Sequence, residues 1–407
     1  MYIFKAGVVG AGTMGAEIAQ VISYAGLPVV VKDIDQKILD KAMEKIRSIY
    51  QRQVDKGRMT PGDVESKLAL ITTTLTYDGF EDVDIVIEAV PENIELKKRV
   101  FKELDEVCPS NTIFASNTSA LSITEMGAAT KRPHKMIGMH FFNPAHVMKL
   151  VEVIPGLDTD QDTIDSVVMF AETLRKIPVV VKECPGFLVN RLLMPYLNEA
   201  TWVLAEGAAT AAEIDKAMTE FGWPMGPFTL MDMLGLDVCY HVGAYLYSEY
   251  GDRMQPCPLF EEIYKMGRYG EKTGAGFYGY GDQTDEPVKE AIKRLQQEGK
   301  VPTGTEFSWE RLIMPMINEA VLCLMENIAA VNDIDMAMMA GTGMTYKGER
   351  MGPLQLADTL GLDYVLEKLQ EFHAKYGERF RPARLLKLKV KAGHLGKKVG
   401  KGFMEYA

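Results

Sequence analysis

Residues 6–33 constrain the fold more than any other stretch. A short apolar run, AGVV (6–9), leads into Gly10, Gly12 and Gly15 in a G-x-G-x-x-G pattern. A helix-forming segment, AEIAQVISYAG, follows, and then a second apolar run, PVVVKD, closes on Asp33. Short apolar runs without alternation suit parallel strands buried on both faces. The three glycines do different things. Gly10 permits the tight turn, Gly12 lets the backbone approach a pyrophosphate, and Gly15 allows close helix–strand packing, with the helix N-terminus facing the anion. Asp33 stands where a carboxylate accepts hydrogen bonds from a ribose 2′-hydroxyl and repels a 2′-phosphate. The pattern predicts NAD rather than NADP as cofactor, with Lys32 the one neighbour that argues the other way.

The 407 residues leave room for two or three domains at roughly 100–200 residues each. A net charge of -11 argues against a nucleic-acid surface, which is basic, but leaves room for a local cationic pocket. The five cysteines, Cys108, Cys184, Cys239, Cys257 and Cys323, form no C-x-x-C pair. They predict buried free thiols in a reducing compartment, with no metal site and no disulfide framework. No apolar run reaches the roughly 18–20 residues of a membrane span, and the first strand begins almost at Met1, which leaves no room for a leader. A cytoplasmic protein away from membranes is expected.

The open-sheet pattern continues through helices at 36–57 and 61–67 and strands near 69–73 and at 84–90 (DIVIEAV). Ligands of such sheets bind beyond the carboxyl ends of the strands. Glu92, just after DIVIEAV, falls at that edge, and Lys97 on the next helix is within reach of it. Arg52, Lys56 and Arg58 are candidates for an anionic substrate tail, weighed against an ordinary solvated face. The strand TIFAS runs into Ser116, Asn117, Thr118 and Ser119, small polar residues suited to a ligand or to a turn and helix cap.

The chemistry concentrates in residues 138–152, GMHFFNPAHVMKLVE. MIGMH and KLVEVI read as two strands turned through Asn143 and Pro144. As an antiparallel hairpin centred on 145–146, they set His140 opposite Glu152 on one sheet face, within hydrogen-bonding reach. A carboxylate on one imidazole nitrogen fixes the tautomer and stabilises the imidazolium, so the other nitrogen is a competent base. The alternative is a purely structural hydrogen bond. His134 and His146 lie in turn-like segments without a matched carboxylate and read as surface residues.

The rest of the chain repeats itself. RLLMPYLNEA (191–200) recurs as RLIMPMINEA (311–320), and KTGAGFYGY (272–280) recurs as KVGKGFMEY (398–406). The offset between the copies grows from 120 to 126 residues between Asp215/Asp335 and Gly226/Gly352. This is a tandem duplication of a helical unit of about 95–100 residues. Asn190 in copy one corresponds to Glu310 in copy two. The predicted fold is an α/β Rossmann-type N-terminal domain (1–184) followed by two tandem all-α domains: copy one (185–285), completing an active site, and copy two (286–407), structural.

S-N-T-S, H-F-F-N-P, a glutamate twelve residues after the histidine, and P-G-F-x-x-N-R together resemble the 3-hydroxyacyl-CoA dehydrogenase family, over 5–281 and in repeated form beyond. The resemblance implies NAD-dependent oxidation of an (S)-3-hydroxyacyl-CoA in fatty acid β-oxidation, 3-hydroxybutyryl-CoA being one candidate. It implies His140 as general base with Glu152 as partner, and Ser119 and Asn190 hydrogen-bonded to the reacting oxygen. It places Glu92, Lys97, Asn117 and Asn143 at cofactor or active-site positions, and Lys272 near the cofactor. The coenzyme-A-binding arm aligns only loosely over 50–60, so no basic residue is assigned to the CoA phosphates. The expected partner is an acyl-CoA. Single-copy members pair this helical domain with a second subunit, so a monomer with an internal pseudo-dimer stands beside a homodimer. A dehydrogenase of a non-CoA 3-hydroxy acid and a catalytically silent NAD-binding subunit of a β-oxidation complex are the alternatives. No crotonase-type half precedes residue 1, so hydratase activity is not expected.

Overall fold

A computed structural model describes residues 1–406. Two compact units separate, Met1–Phe187 and Leu188–Ala407. The first holds eight strands: β1 (Ala6–Val9), β2 (Val29–Lys32), β3 (Ile71–Thr74), β4 (Ile85–Glu88), β5 (Ile113–Ser116), β6 (Met136–Phe141), β7 (Leu150–Pro155) and β8 (Ile177–Val180). They form one sheet in the order β3-β2-β1-β4-β5-β6-β7-β8. All are parallel as far as β6; β7 runs antiparallel to β6, and β8 parallel to β7. The central strands β1, β2, β4 and β5 are buried along their whole length, as strands covered on both faces must be. Edge strand β3, ITTT, is only partly buried. Strand order reverses between β1 and β4, which opens a crevice at the carboxyl edge of the sheet.

Six helices cover the sheet: α1 (Thr13–Tyr24), α2 (Gln36–Asp55), α3 (Pro61–Leu68), α4 (Ile94–Val107), α5 (Ile123–Gly127) and α6 (Gln161–Thr173). In α2 the buried residues Leu39, Ala42, Ile46, Ile49 and Tyr50 follow helical spacing, which makes one apolar stripe. α3 starts on a capping box, Thr60 with Asp63, and has Pro61 in its first turn, the position where proline loses no hydrogen bond.

The second unit is helical. Copy one comprises α7 (Val189–Ala205), α8 (Ala211–Phe221), α9 (Pro227–Leu234), α10 (Leu236–Tyr250) and α11 (Pro258–Lys265); α12 (Glu286–Gln297) leads to copy two. Copy two comprises α13 (Trp309–Met325), α14 (Val331–Thr342), α15 (Pro353–Leu360), α16 (Leu362–Tyr376) and α17 (Arg384–Lys391). The growth in offset falls where a small ribbon pairs Thr345–Tyr346 with Glu349–Arg350. Its turn residues, Lys347 and Gly348, have φ of 50° and 84°, the positive values a tight hairpin turn requires.

α7 packs on α13, and buried arginines cross between the copies in both directions. Arg191 reaches Glu319 at 2.7 Å and Glu326 at 2.8 Å; Arg311 reaches Glu199 at 3.2 Å and Glu206 at 2.7 Å. Each bond has its counterpart at the repeat offset, the reciprocity of a two-fold interface. Among the described residues no helix is long and apolar enough to cross a membrane, the five cysteines are free and buried, and no cluster suited to a metal ion is found.

Candidate active site

The glycine turn joins β1 to α1 at the carboxyl edge of the sheet. Gly10 has a φ of +97°, and a Cβ there would lie 2.6 Å from the Ala89 carbonyl oxygen; one on Gly15 would lie 1.7 Å from the Gly10 carbonyl oxygen. Backbone therefore closes both positions to side chains. Gly12 differs: a Cβ there would meet nothing within 4 Å. The space above Gly12 is what an approaching pyrophosphate needs. α1 starts there with no side-chain cap and no acidic residue in its first turn, so its amide donors and positive end remain for an anion. Asp33, just past β2, accepts hydrogen bonds from the amides of Ala11 and Ile34, each at 2.7 Å, which holds its carboxylate beside the turn. These residues fit a dinucleotide. Lys32 does not oppose that fit as its sequence position suggested: it is buried, with Nζ 4.6 Å from the ring centre of Tyr77.

At the ends of β4 and β5 lies a buried network whose centre, Glu88, sequence reasoning missed. The Glu88 carboxylate accepts from Lys97 Nζ at 2.7 Å, the Val90 amide at 2.7 Å and Ser116 Oγ at 2.6 Å. Burial pushes its carboxyl above the usual carboxylate range, against the opposing pull of Lys97. Lys97 is only 1% exposed and also pairs with Glu92 at 3.2 Å, so it is no solvated lysine. Glu92 Oε1 accepts from Thr118 Oγ1 at 2.5 Å and the Ser119 amide at 3.0 Å. Asn117 Oδ1 accepts from the Phe141 amide at 2.8 Å, tying the end of β5 to the end of β6. The signal for Glu88 was present in DIVIEAV: a carboxylate inside an apolar strand needs a cation close by.

The β6–β7 hairpin sets His140 directly opposite Glu152. Nδ1 of His140 lies 2.8 Å from Oε2 of Glu152, and both side chains are buried. Nδ1 is thereby engaged, which leaves Nε2 as the nitrogen for proton exchange. The rings of Phe142 and Phe187 lie 4.5 Å and 5.9 Å from the imidazole and give it an apolar surround. The hairpin turn is clamped from both sides. Glu17 on α1 accepts from the Ala145 amide at 2.5 Å, and Lys176 donates to the carbonyls of Ala145 and Met148. His146 corrects its surface assignment: it is only partly exposed, with Nδ1 3.3 Å from Glu17 Oε2. Asn143 is exposed on the turn, and its bond to Pro144 is cis.

Beside this hairpin is a cleft whose lining includes Arg58, His146, Lys149, Arg175 and Lys176 and no carboxylate. Burial brings the Lys176 amine down to about 8. The cleft suits a polyanion. Of the three basic residues on the helical arm, Arg58 lines it, whereas Arg52 and Lys56 are exposed elsewhere on the arm.

In the second unit Asn190 lies on the first turn of α7. Its counterpart Glu310 accepts a hydrogen bond from Tyr364 at 3.0 Å, so copy two puts a structural pair at this position. Lys272 pairs with Asp237 at 2.5 Å, and copy two repeats the pair as Lys398 with Asp363 at 2.6 Å. The Lys272–Asp237 pair is thus common to both copies of the helical unit.

Similarity to known proteins follows the same division. The pattern described as "3-hydroxyacyl-CoA dehydrogenase, NAD binding domain" matches residues 5–184, and the C-terminal domain of the same family matches 186–280 and again 307–406. The chain belongs to the 3-hydroxyacyl-CoA dehydrogenase family. That family comprises NAD-dependent oxidoreductases, and the first unit is its NAD-binding domain. Among curated relatives, the fatty acid oxidation complex subunit alpha of Shewanella amazonensis is 41% identical over 399 residues, 96% of this chain and 56% of the relative. The subunit of that name from Psychrobacter arcticus is 40% identical over 402 residues. The chain spans about half the length of these relatives. Of solved structures, 3-hydroxybutyryl-CoA dehydrogenase from Escherichia coli K12 superposes with a TM-score of 0.85 at 30% identity, covering 97% of this chain and 100% of that one. (S)-3-Hydroxybutyryl-CoA dehydrogenase from Ralstonia eutropha is 44% identical, with a TM-score of 0.67, over 69% of this chain and 100% of that one.

Proposed function

We propose that this dehydrogenase-family chain oxidises an (S)-3-hydroxyacyl-CoA to the 3-ketoacyl-CoA, and catalyses the reverse reduction, with His140 and Glu152 as its acid–base pair. The buried 2.8 Å contact between them at the carboxyl edge of the sheet carries the reading. NAD, bound at the glycine turn, supplies the hydride acceptor. His140 Nε2 takes the proton of the 3-hydroxyl during oxidation and returns it during reduction. Glu152, held on Nδ1, keeps the ring in the tautomer with a lone pair on Nε2 and stabilises the imidazolium. Ser119 and Asn190 are assigned to the reacting oxygen. In support, Asn190 follows Phe187, which packs against the imidazole, by three residues. Gly10, Gly12, Gly15, Asp33, Glu92, Lys97, Asn117 and Asn143 form the cofactor side, with Lys272 as a further contact.

The cationic cleft favours a CoA thioester over a free 3-hydroxy acid, because its charge matches CoA phosphates. Residues 1–184 are assigned to cofactor binding, 185–285 to completing the site and 286–407 to support, the last because Glu310 replaces Asn190. Five buried free thiols favour a reducing, cytoplasmic setting. The test is NADH oxidation with acetoacetyl-CoA beside free acetoacetate. His140→Gln should lower kcat about 10²–10⁴-fold while NADH affinity, followed by fluorescence, stays close to that of the unaltered protein. Undiminished turnover in that variant would sink the assignment.

A further inference from the structure

Copy one of the helical unit contains a narrow apolar pocket between α7 and α10. Met194 and Pro195 line it from α7, Cys239, Gly243 and Ala244 from α10, and Phe260 from α11. Its charged boundary is paired: Arg379 with Glu199, and Arg253 with Glu319 at 3.4 Å. A glycine inside a helix destabilises it by roughly 0.5–1 kcal/mol relative to alanine, and an unfilled apolar space costs further stability.

Copy two shows that the helical unit does not require the space. At the repeat offset, Leu369 stands in place of Gly243, Val365 in place of Cys239 and Leu386 in place of Phe260. Leu369 is fully buried, so the second copy fills with a leucine what the first leaves open. In copy one a Cβ on Gly243 would already touch the Met194 methyl at 3.4 Å. The missing side chain therefore sets the width of the pocket. Asn190 and Met194 lie four residues apart on one face of α7, about 6 Å along its axis. The α7 wall of the pocket, Met194, thus stands on the helix face that begins at the residue assigned to the 3-oxygen.

We infer that this pocket receives the distal methylenes of the substrate's acyl chain, which makes Gly243 a chain-length determinant and favours acyl groups longer than four carbons. The inference rests on the dehydrogenase reading above. Its largely apolar walls offer an alkyl chain dispersion contacts, and each buried methylene contributes about fourfold in affinity.

Gly243→Leu, which installs the side chain of copy two, tests it. Binding of butyryl-CoA and decanoyl-CoA is measured by calorimetry, and kcat/KM for four- and ten-carbon 3-ketoacyl-CoAs by NADH oxidation. The unaltered chain should bind decanoyl-CoA at least tenfold more tightly than butyryl-CoA. Gly243→Leu should lower the ten-to-four-carbon ratio of kcat/KM at least tenfold, with Gly243→Ala in between. Equal affinities in the unaltered chain, or an unchanged ratio in a variant that melts cooperatively, overturns the inference. Should Gly243→Leu not fold, Ala244→Phe narrows the pocket from the same helix and is read identically. Preferential decanoyl-CoA binding without turnover of any ketoacyl-CoA supports the pocket and refutes the dehydrogenase reading instead.

Discussion

Glu88 and Lys97 show what one buried charge demands of its surroundings. Glu88 has no exposure, and burial already raises its pKa. Lys97→Met would strand the carboxylate, a loss on the order of 3–5 kcal/mol, measurable by urea unfolding. Glu88→Gln added to that variant should recover much of it, because a neutral amide needs no counter-ion; no recovery would mean that Lys97 acts through packing alone. NADH affinity should fall in Lys97→Met, since Lys97 also braces Glu92 and the Val90 carbonyl. At this scale the sequence was legible where backbone alone decides. Gly10 and Gly15 are closed to side chains by neighbouring carbonyls, and a glycine pattern reports that directly. The partner of Glu88 was not legible, because the cation that meets a buried carboxylate depends on where the next helix lands.

At the scale of elements, the hairpin and the repeat were both readable, since strand alternation fixes which residues face one another and the copies share their motifs. The joint between α14 and α15 adds a titration that the motifs did not announce. Asp335 accepts hydrogen bonds from the amides of Leu354 at 2.8 Å and Gln355 at 2.9 Å. Burial, its largest influence, pushes its carboxyl up to about 7 from an ordinary 3.8. Folding therefore takes up a proton between those values. The associated stability is fully present below pH 3.8, diminishes as pH rises, and is lost through about pH 7. Asp335→Asn, permanently neutral, should flatten the decline in melting temperature between about pH 5 and pH 8. Parallel curves for the two proteins would exclude Asp335 as the cause. Its copy-one counterpart, Asp215, has Thr229 and Tyr278 as additional hydroxyl donors, so the copies share a joint but differ in how they stabilise its charge.

At the scale of the whole molecule, the duplication places a two-fold-like interface inside one chain. Arg191 and Arg311 each reach the glutamates of the other copy, the bonds a symmetric pair of subunits would exchange. The chain should therefore sediment as a monomer of 45.3 kDa at micromolar concentration. A stable dimer under those conditions would show that the internal pairing leaves a second association surface unsatisfied.

The sequence by itself determined the order of elements, the glycine turn, the pairing of His140 with Glu152 and the duplication. All of these follow from local backbone geometry, hydrophobic period or literal repetition. Tertiary structure alone decided the Glu88–Lys97 pair, the clamp of Glu17 and Lys176 on the hairpin turn, the carboxylate-free cleft and the pocket left by Gly243. Each depends on which distant segments meet and how completely water is excluded between them. Neither the partner in a charge pair across the fold nor an unfilled space has a signature within a single stretch of chain.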